Sequence, residues 1–214
     1  MPRRIRDRLF GHGAWLVYVP AARSPHKPGG PVAPDRDRVR MLRLATARVP
    51  RCAIWMDEID RAGAGPSYWI ETLRRAVRAA PPGTHIRFLI GSDQAVAFHR
   101  WREFREILNL AEPAVMLRPP HKDAGSVLRA MQETGAWTGA ELEHWAAWID
   151  DARVMKESST AARAAIARGR TAGGVPGVVR AYIKRRGLYT ERERSPRAAR
   201  RSRSALVRPS RSAT

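Results

Sequence analysis

The 214-residue chain has one cysteine, Cys52, and so no internal disulfide framework. With Ala53 and Ile54 beside it, Cys52 reads as a core thiol in a reducing or indifferent compartment. No apolar run approaches the ~18 residues that a membrane-spanning helix needs. The basic opening, Met-Pro-Arg-Arg-Ile-Arg-Asp-Arg, is not followed by an apolar signal core, so the expectation is a cytoplasmic protein without membrane association. Gly-x-Ser-x-Gly, a Walker loop and Gly-x-Gly-x-x-Gly are all missing. His12, His85, His99, His121 and His144 show no metal-ligand spacing, and no metal site is expected.

Acidic residues are also scarce, 20 against 40 Lys and Arg, for a formal charge of +20. From residue 190 to the end, eight Arg face only Glu191 and Glu193 without hydrophobic periodicity, which reads as a disordered tail. The remaining arginines read as spread through the body without a dense stripe. General arginine richness then accounts for the charge as well as a binding face does, and nucleic acid is disfavoured as a partner. An apolar content of 43% fits one globular domain over 1–189 with 190–214 appended.

Along the chain, short apolar runs alternate with helical patterns. Residues 5–10 read as the end of a helix, broken at Gly11 and Gly13, and residues 14–19 as a buried strand stopped by Pro20. The Pro- and Gly-rich stretch 21–34 is a long loop on the strand's carboxyl side, where function tends to lie. A helix over 35–47 with Asp35 as its cap and a strand over 52–59 follow. Pro66 precedes a helix over 67–79 whose apolar stripe is Trp69 or Ile70, Leu73 and Val77. A strand ends at Gly91, then come a helix over 102–110 and a strand over 114–117. This alternation predicts an α/β fold around a parallel sheet. Two helices broken over 135–139, a short strand at Val154-Met155, and helices over 158–167 and 175–186 make the C-terminal part helical.

The organising stretch is 85–101. Ile86, Phe88, Leu89 and Ile90 suit a buried parallel strand, and ligands of open α/β sheets sit outside strand carboxyl ends. Asp93 lies two residues past that end, where a carboxylate can accept from a ribose hydroxyl pair or cap the next turn. Trp101 can stack on a flat heterocycle or belong to the core. Ser158, Ser159 and Thr160 put hydroxyls and free N–H groups at a helix start, with Arg163 one turn along. That is an anion site or simply a well-capped helix. His26 and Lys27 offer cationic donors from the Pro-rich loop, or a solvated loop.

Four segments in this order carry a resemblance. They are Val17-Tyr18-Val19-Pro20 with Pro25-His26-Lys27; Gly65-Pro66-Ser67-Tyr68-Trp69-Ile70-Glu71-Thr72-Leu73; Phe88-Leu89-Ile90-Gly91-Ser92-Asp93 with Trp101; and Ser158-Ser159-Thr160-Ala161-Ala162-Arg163 followed by Val175-Pro176 and Tyr182-Ile183. Over about residues 14–189 the chain resembles the bacterial nicotinate-nucleotide adenylyltransferases of NAD biosynthesis. The resemblance implies a Rossmann-like, three-layer nucleotidyltransferase fold. It implies transfer of AMP from ATP to nicotinate mononucleotide, with Mg²⁺ assisting and pyrophosphate released. By motif match, Ser158, Ser159, Thr160 and Arg163 would hold ATP phosphates and Asp93 a ribose. Trp101 and the turn of Ser67, Tyr68 and Trp69 would frame the pyridine ring, and His26 and Lys27 would line the dinucleotide cleft.

The chain departs from that family at its start. The family opens with a strand running into Gly-Gly-Thr/Ser-Phe-Asp-Pro and His-x-Gly-His, and these motifs do not occur in this sequence. Gly11-His12-Gly13 does not replace them, because it falls after a helix and before a strand. Without that central strand, the sheet is expected to split into two halves with unpaired edges. A start codon assigned too late is the economical expectation, and a shortened, non-catalytic relative the other. Trp69 stands where the family usually has Thr, which leaves nicotinate or nicotinamide open, and Glu157 and Ala162 stand where it usually has aliphatic residues.

Overall fold

A computed structural model describes residues 2–22, 32–152, 154 and 158–190. It divides into two compact units, unit 1 over 1–30 and 51–156 and unit 2 over 31–50 and 157–214. Each is described by itself.

Unit 1 is the α/β unit. It opens with helix α1 (Pro2–Phe10), whose buried Ile5 and Arg6 face inward, and the Arg6 guanidinium donates to the Arg51 carbonyl at 3.2 Å. After the turn at Gly11, strand β1 (Leu16–Tyr18) pairs in parallel with β2 (Cys52–Ile54). A second sheet has β3 (Arg87–Gly91), β4 (Glu112–Met116) and β5 (Ile149–Asp150) in parallel, with β4 central and Gly91 opposite Met116. The expected split into two half-sheets is therefore seen, and among the described residues β1 and β3 each keep one edge without a strand partner. The first strand is not the buried one expected: Trp15 is 63% and Val17 49% exposed. Cys52 is only partly buried.

Several boundaries differ from the periodicity for physical reasons. The strand expected over 52–59 stops at Ile54, and Asp57–Asp60 winds one helical turn, α3. Asp57 there meets the fork of Arg75 at 2.6–2.9 Å. Buried Glu58 accepts from the Thr72 hydroxyl at 3.2 Å and the Ala22 N–H at 3.4 Å. A buried carboxylate demands such donors, and helical backbone supplies the geometry. Helix α4 (Trp69–Ala79) begins two residues later than expected and buries Ile70, Thr72 and Leu73, while Val77 is exposed. Among the described residues the last strand is β5, and the strand expected at Val154-Met155 falls on Met155, which lies outside the described residues.

Around the second sheet, helices α5 (Ser92–Val96), α6 (Phe104–Leu110), α7 (Ala124–Gln132) and α8 (Gly139–Trp148) enclose the core. The break between α7 and α8 falls where the glycines put it. Both helices begin with a capping box, Asp123 with Ser126 and Thr138 with Glu141. The centre is Val115 of β4 among Ile70, Leu73, Phe98, Ile107, Met131 and Trp145, all fully buried. Among the described residues no helix is long and apolar enough to cross a membrane.

Unit 2 is helical: α2 (Asp35–Thr46), α9 (Ser159–Ala167) and α10 (Gly177–Arg186). Val179, Ile183 and Leu188 form its small core, with Met41 and Leu44 packed against them. Gly187 closes α10 in the left-handed conformation at φ +63°, as a terminal glycine should. Asp35 does not cap α2; its carboxylate instead accepts from Arg38 at 2.7 Å.

Candidate active site

In unit 1 the site forms where β3 and β4 end side by side. Fully buried Ser92 donates its hydroxyl to the Arg118 carbonyl at 3.2 Å and accepts from the Arg118 N–H at 2.9 Å. This fixes the chain two residues past β4 against the end of β3. Gly91 is needed there, because a β-carbon would lie 2.5 Å from Arg118 Cδ and 2.4 Å from Asp93 Oδ1. With hydrogen in that place, the Arg118 side chain crosses the strand ends and its guanidinium stands 4.0 Å from the Asp93 carboxylate. Asp93, in the first turn of α5, is exposed and accepts from Gln94 at 3.3 Å. Its side chain does not cap α5, so it projects from the strand ends as a carboxylate acceptor beside a cation. The sequence reading missed Arg118; the signal was an arginine directly after an apolar strand.

The two tryptophans belong to one aromatic stack. Trp69 packs on Phe88 of β3 at 5.9 Å, Phe88 on Phe98 at 5.9 Å, and Phe98 on Trp101 at 4.9 Å. Trp101 is partly buried and packs against the core cluster, as the core reading offered for it expects. The Arg102 guanidinium lies 4.9 Å over the ring of Tyr68, which holds the 67–69 turn beside the Trp101 segment. Trp69 Nε1 is buried and has no acceptor among the described residues. Trp69 and Trp101 thus lie at the two ends of a stack built on Phe88 and Phe98, with Tyr68 against Arg102; Ser67 is partly buried beside Tyr68.

In unit 2, Ser158 caps α9 by accepting from the Ala161 N–H at 3.4 Å, and Arg163 donates to the Thr160 hydroxyl at 3.3 Å. Ser159 is exposed at the helix start. Arg163 and Thr160 thus pair along the first turn, and the well-capped helix reading is realised at Ser158. His26 and Lys27 lie outside the described residues. No group of three or more His, Cys, Asp or Glu among the described residues could hold a metal ion.

A parallel α/β sheet with an acid and a cation at its strand ends suits nucleotides. The cytidylyltransferase-like family matches residues 6–165, and the chain belongs to that family. Its relatives refine the picture. The chain is 30% identical to a protein of Symbiobacterium thermophilum over 83% of this chain and 82% of that one. It is 33% identical to one of Laribacter hongkongensis over 92% and 88%, and 35% identical to one of Bordetella petrii over 71% and 72%. Each of the three is named a probable nicotinate-nucleotide adenylyltransferase.

Proposed function

We propose that the protein is a nucleotidyltransferase that moves AMP from ATP to nicotinate mononucleotide. A phosphate oxygen of the mononucleotide attacks the α-phosphorus of ATP in line, forming the deamido dinucleotide, and pyrophosphate leaves. No covalent enzyme intermediate is required. The protein contributes positioning and charge neutralisation. The observation that carries this reading is the Asp93 and Arg118 pair at the strand ends of a chain in this family.

In this reading Asp93 takes a ribose and Trp101 with Ser67, Tyr68 and Trp69 frames the pyridine ring. Ser158, Ser159, Thr160 and Arg163 bind ATP phosphates, and His26 and Lys27 line the dinucleotide cleft. Residues 1–189 carry the activity. The described residues offer no cluster suited to hold Mg²⁺, so the ion would enter on the ATP phosphates.

The test is pyrophosphate release by the 214-residue chain with ATP and either nicotinate or nicotinamide mononucleotide. Release with the nicotinate form is expected. Tight binding of both nucleotides without release would instead make the chain a non-catalytic nucleotide-binding relative, and release with the nicotinamide form alone would reassign the substrate.

A further inference from the structure

The charge excess is not shared between the units. The described residues of unit 1 carry sixteen Arg or Lys against fifteen Asp or Glu, whereas those of unit 2 carry twelve against Asp35 and Asp37 alone. General arginine richness would load both units alike, so the even spread expected from the sequence is corrected. In unit 1 the cations meet acids: Arg74 with Glu103, Arg75 with Asp57, Arg87 with Glu112, Arg105 with Glu141.

The excess in unit 2 is mounted on a braced pair of helices. Buried Asp37 of α2 accepts from the Tyr182 hydroxyl at 2.7 Å and from Arg186 Nε at 3.2 Å, both on α10. Arg36 stands 3.7 Å from the other oxygen of Asp37. Arg185 lies 5.5 Å over the Tyr182 ring, and the charge of Arg40 acts on the same phenol. Two guanidiniums, of Arg186 and Arg36, thus stand at one carboxylate, and a third, of Arg185, lies over the ring of the phenol that donates to it. On α2, Arg36, Arg40 and Arg43 are exposed at a spacing of four and three, one face over about 10 Å of helix.

We propose that this α2–α10 face binds the phosphodiester backbone of a nucleic acid, by charge and without reading sequence. A row of exposed arginines on a rigid platform matches a row of phosphates. An anionic membrane fits less well, since the large exposed hydrophobics among the described residues of unit 2 are only Val32 and Val178.

The test is fluorescence anisotropy of labelled 20-nucleotide single strands and duplexes, of RNA and of DNA, with the full chain across a salt series. The partner protein is the full-length R36Q/R40Q/R43Q variant, so the stretch beyond residue 190 is the same in both. Binding is expected with log K falling linearly in log salt. The slope should be shallower in the variant by about two for single strands and nearly three for duplexes. If the triple variant melts early, R43Q alone should remove about 0.7 from the single-strand slope. Unchanged slopes and affinities, no binding by the parent chain, or binding to phosphatidylglycerol vesicles but not to oligonucleotides would each overturn the proposal. Pyrophosphate release is scored separately and should survive in the variant, so this proposal and the transferase reading can fail independently.

Discussion

Ser92 and Arg118 are tied twice through one hydroxyl, which donates to the Arg118 carbonyl and accepts from its N–H. The two residues stand at neighbouring strand ends, so this pairing sets where the Arg118 guanidinium can go. Gly91 then leaves it the room to approach Asp93.

Changing either neighbour should separate stability from function. Ser92→Ala removes both hydrogen bonds made through the buried hydroxyl, while the Arg118 carbonyl still accepts from the His121 N–H at 2.9 Å, and is expected to lower stability by about 1 kcal/mol in urea unfolding. Gly91→Ala presses on side chains that can swing away, Asp93 Oδ1 and Arg118 Cδ, while the strand's φ suits any residue. Its stability should stay within about 1 kcal/mol of the parent, while displaced side chains cut kcat/KM about 10- to 100-fold. A Gly91→Ala chain with parental kinetics would remove Asp93 and Arg118 from the site.

Asp93→Asn keeps the shape but weakens a charged acceptor. The residue is exposed, so the melting temperature should not move. The expected change is a rise of about tenfold in the KM of the nucleotide whose ribose it holds, with the other nucleotide unaffected. Titrating each nucleotide at saturating levels of its partner identifies which one.

The parallel alternation of strands and helices was legible because apolar runs and glycine stops are local signals. The place of Asp93 beyond the strand was legible for the same reason, being set by its distance from Gly91, whereas the packing of Trp101 on Phe98 was not. What the sequence hid was pairing across the chain. Nothing local says that Asp57 will meet Arg75 and wind residues 57–60 into helix, or that Ser92 will clamp Arg118. Nor does a count of arginines show that those of α2 and α10 share one junction, since Asp37 and Tyr182 are 145 residues apart.

Asp57 and Arg75 should make stability sensitive to acid. Burial pushes the Asp57 carboxyl up, but the hydrogen bonds and charge of Arg75 outweigh this and hold it below the ordinary 3.8. A depressed carboxyl stabilises fully above its unfolded value and loses that contribution as pH falls through the folded one. The parent chain should therefore exceed Arg75→Gln by about 2–3 kcal/mol at pH 7, with the gap narrowing as the pH falls towards and through 3.8. Without the guanidinium, burial raises the carboxyl and the variant gains relative stability on acidification. Urea midpoints of both proteins between pH 7 and pH 3 measure this, and a gap constant with pH would refute the pairing.

Tyr182 should do the reverse at high pH. Its hydrogen bond to Asp37, then burial and the negative carboxylate, push the phenol above its ordinary 10.0. A raised group contributes below its unfolded value and ceases to contribute as pH rises through the folded one. Ionising it sets two negative oxygens against each other at 2.7 Å and should loosen α2 from α10. Tyr182→Phe should melt below the parent at pH 8, because Asp37 then loses its nearest donor. The two proteins should converge as the pH rises above 10.0 and the parent phenol loses its proton. Equal melting temperatures at pH 8 would show that the Asp37 contact does not hold the two helices together.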